Sequence, residues 1–508
     1  MLVLAKPKLI ARLLASDFPS ENPRTQTRNF PYTNTLGTIY KLNMIEKLGK
    51  KLTHLFLKYM PNAFVFAILL TLITALGAFL WIDTTPIKII TSWYDGFFDL
   101  LGFAMQIILI IITGFSIALS PIIKSGIDSI ARHINSPKQV YFLVVLIGLL
   151  LTLVSFGWIV ITCVLARELA LRVKGINYPF LIACVYISSG SWVSGLSSSI
   201  PLLLNTENNF LIKSDVLTEV IPTSYTLGSI LNITMIITLL IATPLILLFL
   251  RPRDTHNKEI TDLMIVKESS STQTIKEEAL SSKLPFKSYS DKLNNSVILQ
   301  MIIVLMGFVY IFYHFITKGF DLNFNIMIFI FLILGLLLHK TPMRYVISMK
   351  QASSNISGIL FQYPFYAGIM GIMLYTGLGE KLGQILGSQA SVNSYPFFAY
   401  LTGGIANFAI PSAGGEFAVV GPSIINAVKE IGVGLPAEEI TAMIARASLS
   451  VAYGESLSNL LQPFYLLLVL PIMATGIKIQ ARDIMGYLVL PFIILFIIQS
   501  ILVSFCPL

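Results

Sequence analysis

The chain has 508 residues, 55% hydrophobic and only 12% charged, with a mean hydropathy of +0.78, whereas a soluble globular domain is about 25% charged. This excludes a soluble protein and makes the bilayer the setting of the fold. The formal net charge of +9 comes from Lys and Arg in short loops beside apolar runs, where they orient helices, so nucleic acid is not an expected partner.

In chain order, residues 1–43 form an N-terminal extension rich in Pro, Asn, Thr and Arg, whose one apolar run is broken by Lys6, Pro7, Lys8 and Arg12. It is a poor signal peptide, and reads as a disordered tail or as an over-called start ahead of Met44. A span needs about 20 mainly apolar residues. Runs of that kind lie near 61–82, 97–119, 176–204, 222–250, 297–317, 323–339, 355–377, 438–470 and 484–506. The polar stretch 251–296 separates a first transmembrane repeat (44–250) from a second (297–508) and reads as a cytoplasmic linker. Two further apolar stretches, 141–170 and 395–425, are interrupted at their centres, by Ser155-Phe-Gly-Trp and by Asn407-Phe-Ala-Ile-Pro-Ser-Ala-Gly-Gly-Glu. Each is expected to be a re-entrant hairpin beside the nine crossings, with an ordinary helical hairpin that crosses twice as the alternative for the second.

Charge placement agrees with that count. With the N-terminus cytoplasmic, the inner segments collect sixteen basic residues, among them Lys47, Lys50, Lys51, Lys138, Arg167, Arg172, Lys340, Arg344 and Arg482, and the outer loops keep only Lys88, Lys213, Lys318, Lys381 and Lys429. The same assignment places the C-terminus outside and opens the two hairpins to opposite faces. The halves also align. Gln106 precedes the first hairpin as Gln362 precedes the second, and each hairpin is followed by an apolar helix broken by small polar residues, with Pro201 and Pro463 in matching places. The expected fold class is therefore an all-α polytopic membrane protein, an inverted repeat with two re-entrant hairpins and two broken helices.

Backbone freed at mid-membrane depth costs several kcal/mol per unpaired group, so such breaks are tolerated only inside protein or along a wet cavity. Half-helix N-termini suit an anion, and unwound carbonyls with hydroxyls suit a cation. The candidate binding residues follow from the breaks: Ser155 and Gly157 at the first tip; Ser188, Ser189, Ser191, Ser194, Ser197 and Ser198 in the first broken helix. In the second half they are Asn407, Pro411, Ser412, Gly414, Gly415 and Glu416 at the tip, and Tyr453, Gly454, Glu455, Ser456, Ser458 and Asn459 in the broken helix. The serine-rich run could instead be a close helix-packing face. Glu455, an acid near mid-span where ionised carboxylates are rare, is the sharpest of them. Gln106, Gln362 and Arg446 are secondary candidates, the glutamines serving equally well as interhelical glue and Arg446 being able to snorkel outward. Cys163, Cys184 and Cys506 show no metal or disulfide spacing, and HExxH, GxSxG and Walker sequences are absent, so an enzyme or ATP-driven pump is not expected.

Six segments, Trp93-Tyr-Asp-Gly-Phe-Phe-Asp, Tyr178-Pro-Phe-Leu-Ile-Ala-Cys, Leu338-His-Lys-Thr-Pro-Met, Gln362-Tyr-Pro-Phe-Tyr-Ala-Gly, Asn407 to Glu416 and Arg482-Asp-Ile-Met-Gly-Tyr, taken in order resemble the AtoE-type short-chain fatty acid transporter family from about Met44 to the C-terminus. The resemblance implies uptake of short-chain carboxylates such as butyrate or acetoacetate across a bacterial inner membrane. It also implies the wider ion-transporter superfamily, with Na⁺ or H⁺ as coupling ion, no resident cofactor and, by analogy, a homodimer. A cation/proton antiporter or another organic-anion transporter of that superfamily is the alternative. The family's Pro-Ser-Gly-Gly-Gly tip matches Pro411, Ser412, Gly414 and Gly415 but meets Ala413 at its third position, and its Ala-Tyr-Gly-Glu matches Ala452 to Glu455. The chain departs from the family at Glu416, Phe417, Val420 and the serine-rich first broken helix, and an added carboxylate at the tip bears on ion coupling or substrate preference.

Overall fold

The structure is a computed structural model, and it describes residues 61, 63–99, 101–206, 209–213, 215–253, 255, 257–264, 275–281, 288–319, 324–353, 357–388, 390–411 and 413–508. The extension 1–43 and the basic lead-in to residue 58 lie outside the described residues. Among those described there is no strand beyond one isolated bridge, Met264 to Ile477.

The first half runs α1 (Ala63–Trp81), α2 (Pro86–Asp99), α3 (Leu101–Ala118), α4 (Pro121–Ala131), α5 (Pro137–Val154), α6 (Ile159–Arg172), α7 (Tyr178–Ser188), α8 (Ser199–Leu204) and α9 (Ile230–Leu250). The second runs α10 (Val297–Lys318), α11 (Phe324–His339), α12 (Pro342–Ser353), α13 (Ser357–Tyr375), α14 (Leu378–Gly387), α15 (Tyr395–Ala406), α16 (Ala413–Ile431), α17 (Ala437–Ser458), α18 (Leu466–Met473), α19 (Ala481–Met485) and α20 (Val489–Phe505). Short turns of helix fill several connections. Starts are written locally: Ser120 and Ser136 cap α4 and α5 ahead of a proline, and the Asn177 side chain accepts the Phe180 N–H at 3.1 Å ahead of Pro179. Each supplies an acceptor to an orphan first-turn N–H, with proline where no donor is needed.

All nine expected spans fall on helices. Among the described residues five helices are long and apolar enough to cross a membrane, Phe64–Trp81, Pro137–Val154, Tyr178–Leu204, Ile230–Leu250 and Tyr289–Lys318, and the pair Ala437–Leu461 and Leu466–Met473, bent by 47°, makes six. Asn325–His339, Pro364–Tyr375 and Val489–Phe505 are shorter apolar helices. The long ones present bare hydrocarbon outward, as with Ile298 and Ile316 on α10 and Leu72 and Leu80 on α1. In water such a surface would drive association, and in a bilayer it is the lipid contact. The chain is a multi-pass membrane protein.

Three details differ from the sequence reading. The run expected from residue 97 is preceded by a separate helix, α2, starting at Pro86; α9 starts at Ile230 rather than near 222, after a 3-10 turn at Thr223–Tyr225. The amphipathic helices α2, α4, α12 and α14 link the spans, and a search for purely apolar windows passes over them. The first arm of the first hairpin, α5, is by itself long enough to cross.

The helices sort by what they pack on. Alongside α3 stand α11, on which α10 packs, and α12, while α2 and α1 line α13. Polar pairs join this group: Gln106 Nε2 to Asn325 Oδ1 at 2.7 Å, Ser116 to Ser348 hydroxyls at 2.6 Å, His339 Nε2 to the Ser116 carbonyl at 2.8 Å, and Gln300 to the Leu336 carbonyl. Such bonds are the usual glue between helices in lipid. The second group holds both hairpins and both broken helices, with α5 against α7, α15 along α17, and α9 against α5 and α20. It contains most of the buried side chains, and α7 is buried all round.

Candidate functional site

The first hairpin is interrupted where expected. Ser155 is extended (φ −157°, ψ 136°), Phe156–Trp158 form one 3-10 turn, and α6 resumes at Ile159. The Phe156 N–H freed by the break donates to Ser197 Oγ at 3.1 Å, and the Leu196 N–H to the Leu153 carbonyl at 2.8 Å. The broken helix therefore supplies the partners the hairpin lacks, as a low-dielectric setting requires. It breaks through a 3-10 turn at Ser189–Ser194 and an extended Gly195. A Cβ on Gly195 would lie 2.1 Å from the Leu153 carbonyl oxygen, so only glycine permits this approach. The Thr152 hydroxyl donates to the Ser188 carbonyl at 3.0 Å and stands 2.8 Å from the Ser191 hydroxyl, which donates to the Leu149 carbonyl at 2.7 Å.

The second half repeats the construction with stronger groups. α15 ends at Ala406, Asn407 caps it, and α16 begins at Ala413. α17 breaks through a 3-10 turn at Asn459–Leu461 and an extended Gln462, ahead of Pro463. Asn407 is fully buried, and its Nδ2 reaches the Glu455 carbonyl at 3.0 Å, Ser458 Oγ at 2.7 Å and Asn459 Oδ1 at 2.8 Å. An amide has two such protons, so two of the three bonds are made at a time. Gln462 Nε2 donates to the Asn407 carbonyl at 3.1 Å and to Asn459 Oδ1 at 3.0 Å, and Asn459 Nδ2 to Glu455 Oε1 at 3.3 Å. Gly454 makes room: a Cβ there would lie 1.9 Å from the Tyr400 carbonyl oxygen on α15.

The halves meet at their breaks. Ser456 Oγ donates to the Gly190 carbonyl at 2.9 Å, and the Tyr186 hydroxyl reaches the carbonyls of Asn459 at 2.7 Å and Gln462 at 3.0 Å. Tyr453 donates to Asn232 Oδ1 at 2.9 Å, whose Nδ2 donates to the Ser194 carbonyl at 3.0 Å. The Tyr465 hydroxyl donates to the Pro411 carbonyl at 3.1 Å, and the starts of α8 and α16 come together with Gly414 beside Ser199. Arg167 on α6 holds the carbonyls of Ile472, Met473 and Thr475 at the end of α18, at 3.2, 2.9 and 2.8 Å.

Of the nominated residues, Ser188, Ser189, Ser191, Ser194, Ser197, Ser198, Asn407, Pro411, Tyr453, Gly454, Glu455, Ser456, Ser458 and Asn459 line this double junction, with Ser155 and Gly157 buried at the first tip. Gly414 and Gly415 are half-buried in the first turn of α16, and Glu416 is fully buried. Ser412 lies outside the described residues, as does the side chain of Gln362. Gln106 bonds Asn325 in the other group of helices, and Arg446 places Nε and Nη2 on the Val503 carbonyl at 3.1 and 2.9 Å. The junction also takes in Gln462 of the second broken helix, together with Thr152, Tyr186, Asn232 and Tyr465, which the sequence does not single out. Asn232, a lone amide within the apolar run from Ile230 to Leu250, was the legible one.

Two interrupted hairpins laced to two interrupted helices, with a carboxyl, amides and hydroxyls buried where they meet, are the construction of a polytopic membrane transporter. Residues 44–506 match the profile of the short chain fatty acid transporter family, and the chain belongs to that family. It is 33% identical over 449 residues to a protein of Haemophilus influenzae and 34% identical over 445 residues to one of Escherichia coli K12, both provisionally described as short-chain fatty acid transporters. Each match covers 87% of this chain and 96% of the relative. Among solved structures, the YdaH transporter of Alcanivorax borkumensis overlaps 89% of this chain and 97% of its own, at 16% identity and a TM-score of 0.41.

Proposed function

We propose that the protein is a secondary active transporter that takes up short-chain carboxylates of the butyrate and acetoacetate class across the bacterial inner membrane, together with Na⁺ or H⁺. The observation that carries this is the network of Asn407, Glu455, Asn459 and Gln462, which buries an acid among amides where a hairpin tip meets a broken helix. A buried acid without a basic partner is expensive in a membrane and marks an ion pathway. Hydroxyls and backbone N–H groups of the opposing breaks hold the substrate carboxylate, and Glu455 handles the cation. Coupling makes entry concentrative, since moving one elementary charge against the potential costs about 2.3 kcal/mol per 100 mV.

In this reading residues 44–250 and 297–508 are inverted repeats, the hairpins are re-entrant from opposite faces, and the linker 251–296 and the N-terminus are cytoplasmic with the C-terminus outside. Support comes from the paired constructions: Thr152 meets Ser188 and Ser191 in one half as Asn407 meets Ser458 and Asn459 in the other. A homodimer is the assembly proposed, by analogy with the superfamily. The test is uptake of labelled butyrate and acetoacetate into proteoliposomes, with Na⁺ and pH gradients imposed separately. Saturable uptake driven by one gradient is expected. Cation flux with no carboxylate would instead favour an antiporter, and no uptake of either acid would turn the search to other organic anions.

A further inference from the structure

The buried junction contains a surplus of acceptors. Glu416 and Glu455 are both fully buried, on α16 and α17, which pack against each other. Both carboxyl oxygens of Glu416, Oε2 of Glu455, Oδ1 of Asn407 and Oε1 of Gln462 have no hydrogen-bond donor among the described residues. The amides have already spent their N–H groups on Glu455, Ser458, Asn459 and the Asn407 carbonyl. No cationic side chain pairs with either carboxyl among the described residues. Arg446 is nine residues before Glu455, about 14 Å along the helix, and is held by Val503. The titratable groups facing Glu455 are the Tyr186 phenol and the Glu416 carboxyl.

Buried acceptors without donors, beside two carboxyls without a counter-charge, call for positive charge from outside the chain. We infer that Glu416 and Glu455, buried on packed helices, with the unpartnered Asn407 Oδ1 and Gln462 Oε1 in the Glu455 network, take up and release two monovalent positive charges, protons or Na⁺. This rests on the transport reading for its consequence, though not for its existence. One carboxylate carried with two such charges makes a cargo of net charge +1, whereas with Glu455 alone the cargo of one cation and one carboxylate would be neutral. The membrane potential then drives accumulation directly, by about 50-fold per 100 mV.

Two measurements on the full-length protein test this. Infrared difference spectra of the purified transporter read its buried carboxyls without any substrate. Two carboxyl signals are expected, one removed by Glu416→Gln and one by Glu455→Gln, both responding to Na⁺ at fixed pH if Na⁺ is the cation, or to pH alone if it is the proton. A Glu416 signal that ignores both would mean a permanently resident proton and overturn the inference. In proteoliposomes at symmetrical pH and Na⁺, steady-state butyrate should rise about 50-fold per 100 mV of inside-negative diffusion potential, and Glu416→Gln should lose that slope whatever its rate. Accumulation independent of potential in the unaltered protein would overturn it as well. Responding carboxyls without any carboxylate uptake would sustain the cation site and reject the substrate reading instead.

Discussion

Gly454→Ala tests the closest approach in the site. Its Cβ would lie 1.9 Å from the Tyr400 carbonyl oxygen, with the Gly404 nitrogen at 2.9 Å, and both are backbone with no rotamer to swing aside. Reaching the 3.0 Å below which real Cβ contacts are essentially never found would part α15 and α17 by about 1.1 Å. One residue further on, the Asn407 Nδ2 bond to the Glu455 carbonyl is 3.0 Å long, and it would open to about 4 Å, beyond hydrogen bonding. Overpacking costs about 1–3 kcal/mol and the lost buried bond about 1–3 more, so a loss of about 2–6 kcal/mol is expected. The assay pairs thermal unfolding in detergent with proteoliposome uptake, using Gly126→Ala on α4, where nothing lies within 4 Å, as the control that adds the same methyl without a clash and should gain about 0.5–1 kcal/mol. Unaltered stability and uptake in Gly454→Ala would refute the argument that glycine sets this helix spacing.

Further outcomes follow from the same contacts. Glu455→Gln should abolish gradient-driven accumulation while the protein still reaches the membrane, and normal accumulation would remove Glu455 from the cation pathway. Arg167→Lys should lower stability by about 1–3 kcal/mol, because one ammonium cannot reproduce a planar fork set on three carbonyls; unchanged unfolding would show the clamp to be idle. Arg446→Ala should reduce stability through the bonds lost to Val503 and leave KM for butyrate unchanged, whereas a large rise in KM would make it a substrate ligand. Gln106→Leu, which breaks the bond to Asn325, should shift the unfolding temperature slightly and retain uptake, and loss of saturable uptake would return Gln106 to the binding site.

The interruptions were legible because Pro411, Gly414, Gly415 and the run Ser188 to Ser199 are out of place in apolar text, and bilayer physics leaves them few uses. Asn407, Glu455 and Asn459 stood out for the same reason and came together. Gln106 and Arg446 look identical to them in the sequence, yet their partners, Asn325 and the Val503 carbonyl, lie 219 and 57 residues away. Whether a polar side chain in a span serves a ligand or a neighbouring helix is decided by tertiary geometry, which periodicity does not encode. Thr152 and Tyr186 were missed for the converse reason, since one hydroxyl in an apolar helix is ordinary until the broken helix arrives beside it. The helices α2 and α14 escaped because half their surface is polar, and an apolar window averages them away.

The Arg167 clamp sets a timetable for biogenesis. Its three carbonyl partners lie 305, 306 and 308 residues further along the chain, so at about 5–20 residues per second of synthesis the first half waits about 15–60 s for them. During that interval the first half carries an uncompensated guanidinium and a broken helix without its counterpart. Insertion of the first half alone therefore yields an incomplete body that quality-control proteases should recognise. Two halves supplied as separate polypeptides should accumulate only when made together.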